Sequence, residues 1–164
     1  DDKIIHVACL AHVRRKFYDS SINGTSPGAG KALKYIQQIY KKEEDILNLN
    51  LSPEELVLKR KEIIKPIFDD FHEWLIEMQP KIPPSLKFGR AISYALSSWQ
   101  HLLNYLDCPD LFVDNSIAER SIKPFVIGRK NWLFSGSETG AESSCLIFTL
   151  IENAKLYKLI LTNI

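Results

Sequence analysis

KALKYIQQIYKKEEDIL, Lys31 to Leu47, decides the fold. Leu33, Ile36, Ile39, Tyr40 and Ile46 recur at helical spacing, so one side of the segment is apolar and the other is mostly charged or amidic. Strict alternation, the mark of a half-buried strand, is absent. Reading toward the C-terminus, LSPEEL (51–56) supplies a helix start. Ser52 suits the N-cap, Pro53 the first helical position, and Glu55 completes a capping box. That helix runs on through VLKRKEIIKPIFDDFHEWLIEM (57–78), where Pro66 predicts a kink or an early end. QPKIPP (79–84) breaks the pattern. SLKFGRAISYALSSWQHLLNYL (85–106) then places Ile92, Leu96, Trp99, Leu103 and Leu106 on one face. The middle of the chain is a continuous helical block, and the predicted fold class is mainly α with a small β component.

The β component is expected at the two ends. KIIHVACL (3–10) is short, apolar and partly β-branched, which predicts a buried strand leading into a helix over AHVRRKFYDS. NGTSPGAG (23–30) is a loop. Near the C-terminus, residues 115–122 suit a short helix that Pro124 limits, and FVIGRKNWLFSGS (125–137) predicts a hairpin or an irregular loop. Thr139 and Glu142 read as a second capping box opening a closing helix. No internal repeat or low-complexity segment is present.

Composition narrows the functional classes. The 164 residues are 45% hydrophobic and 25% charged, as expected of one globular domain able to bury a core. No apolar run is long enough for a membrane span. The order of charges in DDKIIHVACLAHVRRKF is wrong for a secretory signal. Cys9, Cys108 and Cys145 are scattered, which argues against a disulfide framework and for a reducing compartment, so a cytoplasmic location is expected. The formal net charge of +1 does not announce a nucleic-acid partner, although the basic clusters at 14–16, 59–61 and 128–130 leave room for a basic face.

Several residues suggest chemistry, each with a plainer reading beside it. In DNSIAERSIK a helix places Asn115, Glu119 and Lys123 on one side. The plain reading is a solvated face with a Glu119–Lys123 pair, worth a few tenths of a kcal/mol. The functional reading is a carboxylate metal ligand beside Arg120, with Arg129 and Lys130 meeting phosphates. One carboxylate does not make a Mg²⁺ site alone. Cys9 and His12 form a C-x-x-H pair, but no second ligand pair completes a zinc site, so a packed cysteine and a hydrogen-bonded histidine are favoured. Arg14, Arg15 and Lys16 suit either a phosphate backbone or a solvated helix face. Trp132 and Phe134 flank Leu133, so a strand would put both aromatics on one face, in a core or stacked on a base. No Walker loop, dinucleotide-binding glycine pattern or G-x-S-x-G elbow is found.

Three blocks, in order, carry a family resemblance: CLAHVRRKFYD (9–19), GRAISYALSSWQHLLNYL (89–106) and DNSIAERSIKPFVIGRKNWLFSGSETGAESSCLIFTLIENAKL (114–156). Together they resemble the C-terminal half of transposases of the insertion-sequence-66 family. The resemblance implies a DDE-type DNA transposase with a ribonuclease-H-like core, in which two Asp and one Glu bind two Mg²⁺ (or Mn²⁺) ions for in-line strand cleavage and transfer. It maps the Glu to Glu119, places Arg14, Arg15, Lys16, Arg120, Lys123, Arg129, Lys130 and Trp132 toward DNA, and makes Cys9, His12, Asp114 and Asn115 supporting residues. It divides the chain into the end of the core (1–22), a helical insertion (23–110) and a Glu-bearing segment with the closing helix (111–164).

The chain departs from the family pattern at its start. Both Asp residues belong upstream of HVACLAH, and Asp1 and Asp2 lie too close to Cys9 to be assigned. The chain is therefore expected to be a fragment, inactive by itself and unable to bind Mg²⁺ tightly. Expected partners are transposon-end and target DNA and other transposase subunits, with missing strands favouring homo-oligomers and no membrane partner. The alternative is a non-catalytic module from a truncated transposase that binds DNA or subunits without cutting.

Overall fold

The computed structural model describes residues 5–22, 27–132 and 135–157, and all regular structure among them is helical. Helix α1 spans Leu10–Ser21, α2 Pro27–Leu47, α3 Pro53–Lys59, α4 Lys65–Met78, α5 Lys87–Ser97, α6 Trp99–Leu103, α7 Ser116–Trp132 and α8 Glu138–Leu156. The chain divides into two compact units, Asp1–Asn115 and Ser116–Ile164.

In the first unit the apolar stripe of α2 does what its spacing predicts. Ile36, Ile39 and Ile46 are buried, and Leu33 and Tyr40 pack at the edge of the core. The stripe meets α1 and α4, while α1 also packs on α5. Between α2 and α3, Asn50 turns the chain with a left-handed backbone (φ 49°), a conformation Asn tolerates better than most side chains. Ser52 then caps α3 as expected. Its Oγ accepts the Glu55 amide at 3.3 Å, and the Glu55 carboxylate accepts the Ser52 amide at 2.9 Å.

Pro66 is accommodated rather than obeyed as a stop. Residues Arg60–Ile64 form a single π turn in which the Lys65 amide reaches back to the Arg60 carbonyl. The backbone stays helical through Pro66 into α4, and the wider π turn just before it accommodates a residue that brings no amide to the ladder. An aromatic cluster fills the centre. The ring of Phe17 lies 6.1 Å from Phe71 and 6.0 Å from Phe88, and Phe71 lies 5.6 Å from Trp99. Gly89 lets the first turn of α5 close against the Pro83–Pro84 bend, because a Cβ there would run into the Pro83 carbonyl.

The β component is corrected: among the described residues there is no strand. Cys9 is extended (φ −94°, ψ 119°), as a β-rich run predicts, but the segment finds no ladder. The Ala8 amide bonds the His101 carbonyl at 3.0 Å, and the Leu10 amide bonds the Val113 carbonyl at 3.1 Å. Two bonds to two unrelated segments pin the chain without making a sheet.

The second unit corrects the reading of residues 125–137. Helix α7 passes through Pro124 and continues to Trp132, so no hairpin forms over 125–132 and Trp132 is helical. Phe134 lies outside the described residues. A tertiary contact within this unit accompanies the continuation: Phe125 meets Phe148 of α8 edge-on, at 5.3 Å and 86°. Helix α8 is capped two residues earlier than Thr139 would have it. Ser137 holds an extended N-cap backbone (φ −149°, ψ 160°), and its Oγ accepts the Gly140 amide at 3.1 Å.

Candidate functional site

Three groups of side chains hold the residues singled out from the sequence. The first lies on α7. Glu119 stands in its first turn, exposed, with the exposed Arg120 and Lys123 beside it. The Arg120 guanidinium donates from Nε to the Ser116 carbonyl at 3.1 Å, which ties it to the start of the helix. Ser116, Glu119, Arg120, Ile122, Lys123 and Val126 line an open depression. Arg129, Lys130 and Trp132 follow on the same helix, with side chains outside the described ones.

The second group gathers where α1 begins, in the first unit. The Leu10–Val113 hydrogen bond fixes the residue before Asp114 against the residue after Cys9. Asp114 is half-buried and accepts a hydrogen bond of 2.7 Å from the Tyr40 hydroxyl. Cys9 and Arg14 are close enough to act on Tyr40 electrostatically. Burial first, then the hydrogen bond to Asp114 and its negative charge, push the Tyr40 phenol far above its ordinary range, with Arg14 opposing. Tyr40 is thus a neutral donor throughout the accessible pH range. The fold brings Cys9, Arg14 and Asp114 together, and adds Tyr40. In the sequence Tyr40 is only part of an apolar stripe, since nothing local reveals where its hydroxyl points.

His12 is exposed, and its amide bonds the Cys9 carbonyl at 3.2 Å. Among the described residues no three His, Cys, Asp or Glu side chains converge to hold a metal ion. Cys9, Cys108 and Cys145 are all free thiols. Asn115 and Arg15 are exposed.

The segment leading to Asp114 is held from beneath by Arg60. This side chain is fully buried inside the π turn. It grips Glu43 through Nε at 3.1 Å and Nη2 at 2.6 Å. Its remaining N–H groups reach the carbonyls of Tyr105 at 3.3 Å, Cys108 at 2.9 Å and Leu111 at 2.9 Å. The guanidinium also lies 5.1 Å from the Tyr105 ring centroid. All its donors are thereby used, and the irregular return toward residues 113–115 is stapled to α2.

The third group is a recess on α1 and α5 lined by Lys16, Asp19, Ile22, Lys87 and Arg90. It contains Lys16 but neither Arg14 nor Arg15 among its lining residues. Among the described residues no helix is long and apolar enough to cross a membrane.

Comparison with known proteins adds a family. A family model for transposases of the IS66 family matches residues 1–143. An uncharacterized protein y4hP of Sinorhizobium fredii (strain NBRC 101917 / NGR234) is 33% identical over 160 residues, covering 90% of this chain and 29% of its own length. Two more uncharacterized proteins of that strain, y4qI and y4jD, are 31% and 32% identical over 148 residues. The chain spans less than a third of the length of each of these relatives. No solved structure matches.

Proposed function

The chain belongs to the IS66 family of transposases, and on that premise we propose that it is the portion of a DDE-type DNA transposase that carries the third metal-binding carboxylate, Glu119. The observation that carries this reading is the setting of Glu119: exposed, in the first turn of α7, beside two cations, within the DNSIAER segment and inside the matched residues. On this reading residues 1–22 and 111–164 belong to a ribonuclease-H-like core interrupted by a helical insertion over 23–110. The protein acts in the cytoplasm on transposon-end and target DNA, together with further transposase subunits.

The described residues do not form a site for Mg²⁺ or Mn²⁺ by themselves, since no three ligating side chains converge and one carboxylate is a poor ligand set. On this reading the further ligands for the ion come from the longer protein. The chain's own residues have roles that do not depend on one. Glu119 presents a hard anionic oxygen, the kind of ligand a hard divalent cation takes. Arg120 and Lys123 place positive charge beside it, and Arg129, Lys130 and Trp132 extend the same helix toward DNA. Arg14, Arg15 and Lys16 are further phosphate contacts. In the supporting group with Cys9, His12 and Asn115, Tyr40 holds the Asp114 carboxylate as a neutral hydrogen-bond donor.

Mn²⁺ binding followed by electron paramagnetic resonance tests the assignment. A protein extended to the length of the relatives should bind the ion, its Glu119→Gln variant should lose that binding, and the 164-residue chain alone should show no tight site. Unchanged binding in the extended Glu119→Gln protein would remove Glu119 from the ligand set.

A further inference from the structure

We propose that the recess formed by Lys16 of α1 and Lys87 and Arg90 of α5 is a contact surface for the phosphodiester backbone of duplex DNA. The inference rests on the reading of the chain as part of a DNA transposase and extends its Lys16 contact to a surface shared with Lys87 and Arg90. Lys87 and Arg90 stand on the first turn of α5, and Lys16 is in the C-terminal half of α1, which packs against α5. The three cations border one open recess of about 400 Å³, in which Asp19 is the single acid among the described lining residues. Lys16 is steadied by the ring of Tyr94, 5.4 Å from its Nζ and one turn beyond Arg90.

The charge of these cations is uncompensated, as is that of Arg14, Arg15, Lys31, Lys34 and Lys41 among the described residues of the unit; what sets the three apart is that they border one recess. Lys42, Lys59, Lys61, Lys65 and Lys81 of the same unit each lie 2.5–3.4 Å from a carboxylate oxygen. Among the described residues, Lys16, Lys87 and Arg90 have no such partner, and all are exposed. Three unpaired cations against one acid give the recess a local positive charge that the net charge of +1 does not reveal. The positive end of the α5 dipole adds to it, and the Leu86 N-cap has no side-chain acceptor to spend there. Two flexible ammonium groups and one guanidinium fork suit phosphate oxygens spaced along a backbone. The recess is open to solvent, which fits an extended polymer better than an enclosed small molecule.

The test is fluorescence anisotropy of the 164-residue chain with a labelled duplex of about 30 base pairs, over roughly 50–200 mM salt. The variant is Lys16→Ala/Lys87→Ala/Arg90→Ala. The control, Lys59→Ala/Lys65→Ala/Lys81→Ala, removes the same formal charge from lysines that are already paired. Circular dichroism confirms that both variants fold. Each lost phosphate contact lowers the slope of log K against log salt by about 0.9, so the recess variant should lose about 2–3 in slope and at least about tenfold in affinity. The control should change far less. Equal losses in both variants would reduce the effect to bulk charge and overturn the proposal. An unaltered slope in the recess variant, with wild-type binding intact, would place the contact elsewhere while leaving the transposase reading untouched. Absence of any duplex binding by the wild-type chain would also overturn it, and the Mn²⁺ experiment would still judge Glu119 separately. Displacement of the duplex by poly-glutamate at equal charge would make the recess a general polyanion surface and defeat the assignment to DNA.

Discussion

Arg60 is fully buried, and its donors serve the Glu43 carboxylate and three backbone carbonyls. Replacing it with Leu leaves Glu43 unpaired in a space where it is only 4% exposed, takes the Arg60 donor from the Leu111 carbonyl, and leaves the Tyr105 and Cys108 carbonyls with one backbone amide each. Arg60→Leu should therefore lower stability by about 3–5 kcal/mol, measured by urea unfolding. The double variant Glu43→Leu/Arg60→Leu should cost less than the sum of the single changes, because it no longer buries a lone charge. Strict additivity would mean that the pair contributes no coupling. None of this is legible in the sequence, where Lys59–Lys61 and Glu43–Asp45 look like two solvated charge clusters. The π turn rotates Arg60 inward while its neighbours stay on the surface, and Lys61 meets the exposed Asp107 at 2.6 Å. Tyr40 was equally hidden: its spacing identifies the face it lies on, but its hydroxyl partner is 74 residues away.

At the scale of elements, local chemistry predicted the start of α3, while the equally local Thr139–Glu142 box gave way to a Ser137 cap on α8. The Ser52–Glu55 box needs no distant partner, and it forms as written. Ser52→Ala should cost about 1 kcal/mol. The pH dependence follows from the same bonds. Hydrogen bonds from the Ser52 amide, and then its hydroxyl, hold the Glu55 carboxyl below its usual range. A depressed folded-state value means the contribution is complete above the unfolded-state value and is lost as pH falls through the folded one. The stability gap between wild type and Glu55→Gln should thus be largest near neutrality and close as the solution is acidified below about pH 4. A gap that widens in acid would contradict the sign. Where an element depends on its neighbours, the sequence misleads. Pro124, Val126, Ile127 and Gly128 all argue locally against a helix, yet α7 runs through them. Its edge-on contact between Phe125 and Phe148 comes from a helix 23 residues on, a signal no local window contains. The N-terminal run fails in the opposite sense, since β-branched residues give an extended backbone but cannot create a neighbouring strand.

At the scale of the whole molecule, the two units divide the proposed labour. Asp1–Asn115 buries the aromatic core, staples the return to Asp114 and presents the Lys16–Lys87–Arg90 recess. Ser116–Ile164 carries Glu119 on α7. The family was legible because its motifs are contiguous stretches, above all DNSIAERSIKPFVIGRKNW, and contiguous stretches survive any error about their folding. The recess was not, because Lys16 and Lys87 lie 71 residues apart and meet only through the packing of α1 on α5. The central claim, that Glu119 is the carboxylate on which strand cleavage depends, is tested most directly by nicking of a labelled transposon-end duplex in Mg²⁺ or Mn²⁺. The proteins compared are the full-length relative-sized protein, its Glu119→Gln variant and the 164-residue chain. Cutting by the full-length protein only, abolished by the substitution, is the predicted result; undiminished cutting by the full-length Glu119→Gln variant would contradict it and leave α7 with a structural role.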